Sequence, residues 1–208
     1  MYKMLDKYCE VEEKMKTYTS DKMIFLAAMT MARTCKVLDI LSEYEYLKNI
    51  PEWKNAMSAV IKRERVEEKY LEIYEDMFRE TGDDSYDEDE PIGTAFDWDT
   101  VPDELVDIMS IHGDLTGMWC DFMTLNKIVA NRMASMVTMG LKIIDSYLAS
   151  KYYDLHLVYE KLTMKIESHH LFLDEMQRID EDIRFLDSDA DNESIINRIE
   201  DYKNTLII

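Results

Sequence analysis

Apolar residues recur at three- and four-residue intervals over most of this chain, which predicts helices and leaves no stretch of strict alternation for a strand. Tyr2 to about Lys16 reads as a first helix, with Met4, Leu5, Tyr8, Val11 and Met15 on one side. Thr19, Ser20 and Asp21 then supply a start signal for a second, Lys22 to about Lys48. Its first two turns are apolar nearly all round, so it is expected at the centre of the protein. Asn49, Ile50 and Pro51 end that helix and begin a third, which carries Trp53, Met57, Val60 and Ile61. Past a slip of phase at Lys62-Arg63-Glu64-Arg65 the apolar face resumes with Val66, Tyr70, Ile73, Tyr74 and Met77, until Gly82 stops it.

Thr81 to Pro102 is the one clear non-helical insertion, with Gly82, Pro91, Gly93 and Pro102. Asp103 caps the next helix, whose apolar face is Leu105, Val106, Ile108, Met109 and Ile111. A long run to about Ser150 follows, with a narrow polar seam (Asp121, Thr124, Asn131, Ser135, Thr138, Lys142) between apolar faces that include Met118, Phe122, Leu125, Val129, Met133, Met136 and Ile143. Tyr152 to about Leu186 reads as a last long helix on the seam Leu155, Tyr159, Leu162, Ile166, His169, Leu173 and Met176. The expectation is an all-α protein: one helical bundle of about five to seven helices over residues 1–208, with an acidic insertion loop at about 81–103 and a short acidic helix at about 193–204.

Composition supports that fold. Five Gly and three Pro in 208 residues are too few for the turns of a sheet protein, and sixteen Met suit helices and adaptable cores. Cys9, Cys35 and Cys120 are widely spaced and odd in number, which points to reduced thiols in a cytoplasmic setting, the host cytoplasm for a viral protein. No signal peptide or membrane span is legible, because the longest low-charge run is broken by Asp121, Lys127 and Arg132.

The net charge of −20 is unevenly spread. Glu80 to Asn126 holds fourteen acids and no Lys or Arg, whereas the chain before it and Lys127 to Leu173 are near neutral. A second acidic region, Asp174 to Asp201, has eleven acids and three bases. Nucleic-acid phosphates and anionic lipid would be repelled, so neither direct nucleic-acid binding nor a membrane surface is expected. A basic protein is the favoured partner, captured by Asp83, Asp84, Asp87, Glu88, Asp89 and Glu90 and by the aromatic-acidic run Phe96, Asp97, Trp98 and Asp99. The aromatics of that run have an alternative reading as an anchor folded back on the domain. A homo-oligomer is compatible with the composition.

Candidate chemistry is sparse. His156, Glu160, Glu167, His170 and Asp174 would share one stripe of a continuous helix, and Glu167 to His170 makes one Glu-x-x-His step of the kind used by di-iron bundles. A solvated helix face with ion pairs accounts for the same residues, and no metal site or cofactor is favoured. Asp187 to Glu193 looks like the opening of a calcium loop, yet Arg198 stands where the bidentate Glu belongs, and a helix end followed by an N-cap explains the pattern. His112 has no nucleophile motif beside it, and Cys120 reads as packing.

These features are similar in character to phage-encoded inhibitors of restriction, CRISPR or transcription proteins, and to antitoxin or immunity proteins, though no family motif is shared. The leading expectation is therefore a non-enzymatic acidic interaction protein that inhibits or regulates a basic, nucleic-acid-binding protein, as a nucleic-acid mimic does. Two alternatives stand beside it: a metal-binding helical bundle, protein or enzyme, using the His/Glu stripe, and a viral helical adaptor or assembly protein with an apolar groove.

Overall fold

A computed structural model describes residues 2–41, 128–152, 155–204 and 207. These residues form seven helices and no strand, so the all-α bundle is what the described chain builds. The residues of the acidic loop, 81–103, lie outside them.

Helix α1 spans Lys3–Met15 and turns Lys7, Val11 and Met15 inward at four-residue spacing. It ends in a turn in which the Lys14 carbonyl accepts both the backbone N–H and the hydroxyl of Thr17, at 3.0 and 2.7 Å. Helix α2, Ser20–Leu41, follows, with Thr19 Oγ1 accepting the Lys22 N–H at 3.4 Å. Every residue from Met23 to Thr34 is buried except Phe25, which is half-buried. A helix covered on all sides is the hub of the bundle, and α2 packs on four of the helices that follow.

Helices α3, Ala130–Val137, and α4, Met139–Lys151, replace the second half of the long run. The run is not one helix, because Val129 is extended and a joint falls at Thr138. There the Thr138 hydroxyl bonds back to the carbonyls of Ala134 and Ser135, at 3.0 and 3.3 Å, competing with the helix ladder. Met133, Met136 and Ile143 are buried as their spacing predicts, whereas Val129 is exposed.

The last long helix is also divided. Helix α5 is Tyr159–Glu167, α6 is His170–Asp187 and α7 is Asn192–Tyr202. Before α5 the chain passes through His156 in the left-handed region, φ 45°, and between α5 and α6 it is extended at His169. Each break resets the helical phase. Leu155, Tyr159 and Leu173 are consequently exposed, and the buried face of α6 is Phe172, Glu175, Ile179, Asp182 and Leu186. Burying the three apolar members contributes about 1.5–3 kcal/mol each. The two acids among them need partners.

Candidate functional site

Arg33, on the hub helix, is those partners' common cation. Arg33, Glu175 and Asp182 are all 0% exposed. The guanidinium Nε donates to both oxygens of Glu175 at 3.1 Å, Nη2 donates to Glu175 Oε1 at 2.8 Å and to Thr30 Oγ1 at 3.1 Å, and Nη1 donates to Asp182 Oδ2 at 2.5 Å. The Thr30 hydroxyl donates to the Val137 carbonyl at 3.2 Å, tying α2 to the end of α3. Asp182 Oδ1 accepts from Arg198 Nε at 2.8 Å and from the Tyr202 hydroxyl at 2.7 Å, which fixes α7 on α6. The Tyr202 ring also lies 4.8 Å from the Arg33 guanidinium carbon.

Burial opposes the charge on Arg33, yet Glu175 and Asp182 more than offset it and hold the guanidinium protonated. Burial, reinforced by the Asp182 carboxylate, pushes the Tyr202 hydroxyl up, so it stays a proton donor. Gly140 of α4 sits against Glu175 so closely that a Cβ there would lie 2.5 Å from Oε1. A guanidinium that is fully buried and bound to two carboxylates and a hydroxyl is turned to the interior and not to a surface cleft. The cluster is an internal clamp joining α2, α6 and α7.

A second long-range contact starts α1. No side chain of its own caps this helix; instead Glu167 Oε1, at the end of α5, accepts the Met4 N–H at 3.3 Å, and Lys3 Nζ donates to the Glu167 carbonyl at 2.9 Å. A carboxylate at a helix start meets both the orphan N–H groups and the positive end of the dipole. Asp145 of α4 feels the same carboxylate: burial, and then Glu167, push its carboxyl above the ordinary value. His169 caps α6 through Nδ1, which accepts the Leu171 N–H at 3.3 Å.

Part of the second acidic region is paired within the protein. Besides Glu175 and Asp182, Asp180 holds the buried Lys7 at 2.7 Å, and Asp187 holds Lys14 at 2.7 Å and the Tyr18 hydroxyl at 2.9 Å. Burial works against the Asp187 charge, but those two hydrogen bonds outweigh it and keep the carboxyl below its usual range. Asp189 takes the left-handed turn at φ 56°, and Asp191 caps α7 by accepting the Ser194 N–H at 2.7 Å. The calcium-like sequence is thus a helix end and an N-cap, as the missing twelfth-position Glu implies.

The stripe His156, Glu160, Glu167, His170 and Asp174 is not assembled, because the helix it requires is interrupted on both sides of α5. His156, Glu160, His170 and Asp174 are exposed, while Glu167 is buried against α1. Among the described residues no three His, Cys, Asp or Glu side chains form a group able to hold a metal ion. Asp83, Asp84, Asp87, Glu88, Asp89, Glu90, Phe96, Asp97, Trp98 and Asp99 lie outside the described residues, as do Asp121, His112 and Cys120. Cys9 is an exposed free thiol. No described helix is long and apolar enough to cross a membrane.

Sequence reasoning passed over Arg33, Glu175 and Asp182. The signal for them is Arg33 itself, the only charge between Lys22 and Lys36 on a helix otherwise apolar all round. Such a charge demands buried carboxylates elsewhere. No protein family, curated protein or solved structure matches the chain.

Proposed function

We propose that this protein is a non-enzymatic acidic interaction protein that captures a basic, nucleic-acid-binding protein and inhibits or regulates it. The observation that carries this reading is how differently the two acidic regions are balanced. Between Asp174 and Asp201, the carboxylates of Glu175, Asp180, Asp182, Asp187 and Asp189 are answered by Arg33, Lys7, Lys14, Lys22 and Arg198. Glu80 to Asn126 brings fourteen acids and no Lys or Arg of its own. A field of that sign and density steers a cationic partner and suits a surface that otherwise binds phosphates, in the manner of a phage-type inhibitor, nucleic-acid mimic or immunity protein.

The test is affinity capture from cell lysate at low and high salt, with the bound proteins identified by mass spectrometry. A basic nucleic-acid-binding protein that is recovered at low salt and lost as salt rises is the expected result. Capture that ignores salt, or no capture, overturns the reading.

One observation favours a second reading, an adaptor that binds through an apolar surface. Tyr2 and Leu5 at the start of α1, and Leu155, Val158 and Tyr159 at the start of α5, are all exposed large hydrophobics. The Tyr2 and Tyr159 rings stand 6.2 Å apart, which makes the two ends one patch. Salt-insensitive capture that is abolished by Tyr2→Ser with Tyr159→Ser would support this reading over the first.

A further inference from the structure

Helices α5 and α6 are joined by two residues, and they are held by different means. The interior clamp of Arg33 fixes α6 through Glu175 and Asp182, whereas α5 packs on α4 and meets α1 through Tyr159 and, at its last turn, Glu167. His169 stands at the joint, extended at φ −72° and ψ 143°, with Nδ1 accepting the Leu171 N–H. The usual N-cap residues, Ser, Thr, Asp and Asn, keep one charge state between about pH 5 and 8; His does not.

Acceptance at Nδ1 requires a neutral ring with its proton on Nε2. A second proton, on Nδ1, would turn the acceptor into a donor facing another donor. The neighbours that act on the ring all disfavour its second proton. Burial works first against the imidazolium, followed by His170, whose ring centroid is 4.4 Å away, then Lys165 from α5 and Lys151 from α4. The positive end of the α6 dipole adds to them. On the α1 side, the Glu167 carboxylate faces the Met4 N–H and its carbonyl holds Lys3.

We propose that His169 is a pH-sensitive latch on α6: neutral, it caps the helix and closes its first turn; protonated, it releases that turn. The direction follows from linkage. The folded-state value lies below the ordinary imidazole value of about 6.5, so the stabilisation is fully present above that value. It is lost as pH falls through the lower, folded-state value.

The test uses the full-length chain. Long-range nitrogen–proton NMR of the imidazoles gives the tautomer and titration of His169, and amide exchange gives the protection of Leu171 between about pH 7.5 and pH 5. The Nε2-protonated tautomer is expected at neutral pH, with a midpoint below that of a free imidazole. As the ring titrates, protection at Leu171 is expected to fall roughly five-fold while that at Ile179 holds. His169→Asn keeps an acceptor that does not titrate, so its Leu171 protection is expected to stay level across the range. His170→Gln is expected to move the His169 midpoint upward. An Nδ1-protonated ring at neutral pH, unchanged protection through the titration, or the same fall in His169→Asn would overturn the proposal.

Discussion

Arg33 and Glu175 meet in the interior across 142 positions of sequence, with Nε 3.1 Å from both carboxylate oxygens and Nη2 2.8 Å from one of them. Both side chains are fully buried, so neither charge has water to fall back on. The pair welds the N-terminal hub helix to the longest C-terminal one.

Removing the cation alone should therefore be severe. Arg33→Met leaves Glu175 and Asp182 buried without their counterion and is expected to destabilise the protein by about 3–5 kcal/mol in urea unfolding. Replacing Arg33 and Glu175 by Met and Leu and Asp182 by Asn, which keeps an acceptor for Arg198 and Tyr202, is expected to recover part of that loss, since no buried charge is then left without its counterion. A mild effect of Arg33→Met would show that the cluster is not the clamp its geometry describes.

Glu167 supplies α1 with the cap its own sequence lacks. Glu167→Ala is expected to cost about 0.5–2 kcal/mol and to raise amide exchange in the first turn of α1. With Glu167→Gln an acceptor oxygen remains, so the loss should be smaller. Equal losses in the two variants would assign the effect to packing instead of capping.

Asp145 gives a pH dependence of the opposite sign to that of His169. Its carboxyl is pushed up by burial and then by Glu167, so the ionised form is the one the fold disfavours. The cost is absent below the ordinary carboxyl value of about 3.9 and appears as pH rises through the higher, folded-state value. Asp145→Asn should accordingly raise the melting temperature at neutral pH and leave it unchanged near pH 3. Thermal unfolding at both pH values checks this.

Neutralising Asp83, Asp84, Asp87, Glu88, Asp89 and Glu90 to their amides is expected to slow association with the basic partner about ten-fold or more at low salt. Dissociation and helix content should change little. Stopped-flow binding at two salt concentrations separates these effects, and an unaltered association rate would exclude this stretch as the steering element.

Much of the fold is legible in the residue pattern where a helix has one apolar face and ordinary ends. The expected Tyr2 to Lys16 helix differs from α1 by one residue at each end, and the buried character of α2 follows from its uninterrupted apolar turns. The joints are harder to read. A three-and-four seam runs through Ser168 and His169 without a Gly or Pro, so periodicity continues across a point where the backbone does not. What breaks the helix is a histidine accepting a backbone hydrogen bond, a role its residue type does not announce. Glu175 and Asp182 are hidden for a related reason: acids on a helix read as its solvated side, and only Arg33 marks them as core, by being a lone charge on an apolar hub.

The closeness of Gly140 to Glu175 has an evolutionary consequence. Position 140 has room for a hydrogen atom while the carboxylate is there, and the carboxylate is held there by Arg33. The three positions are therefore expected to drift as a set. A descendant that exchanged the ion pair for shorter apolar side chains would be released from glycine at 140 and could gain the helix-favouring alanine; one that kept the pair would stay bound to glycine, however much the rest of α4 diverged.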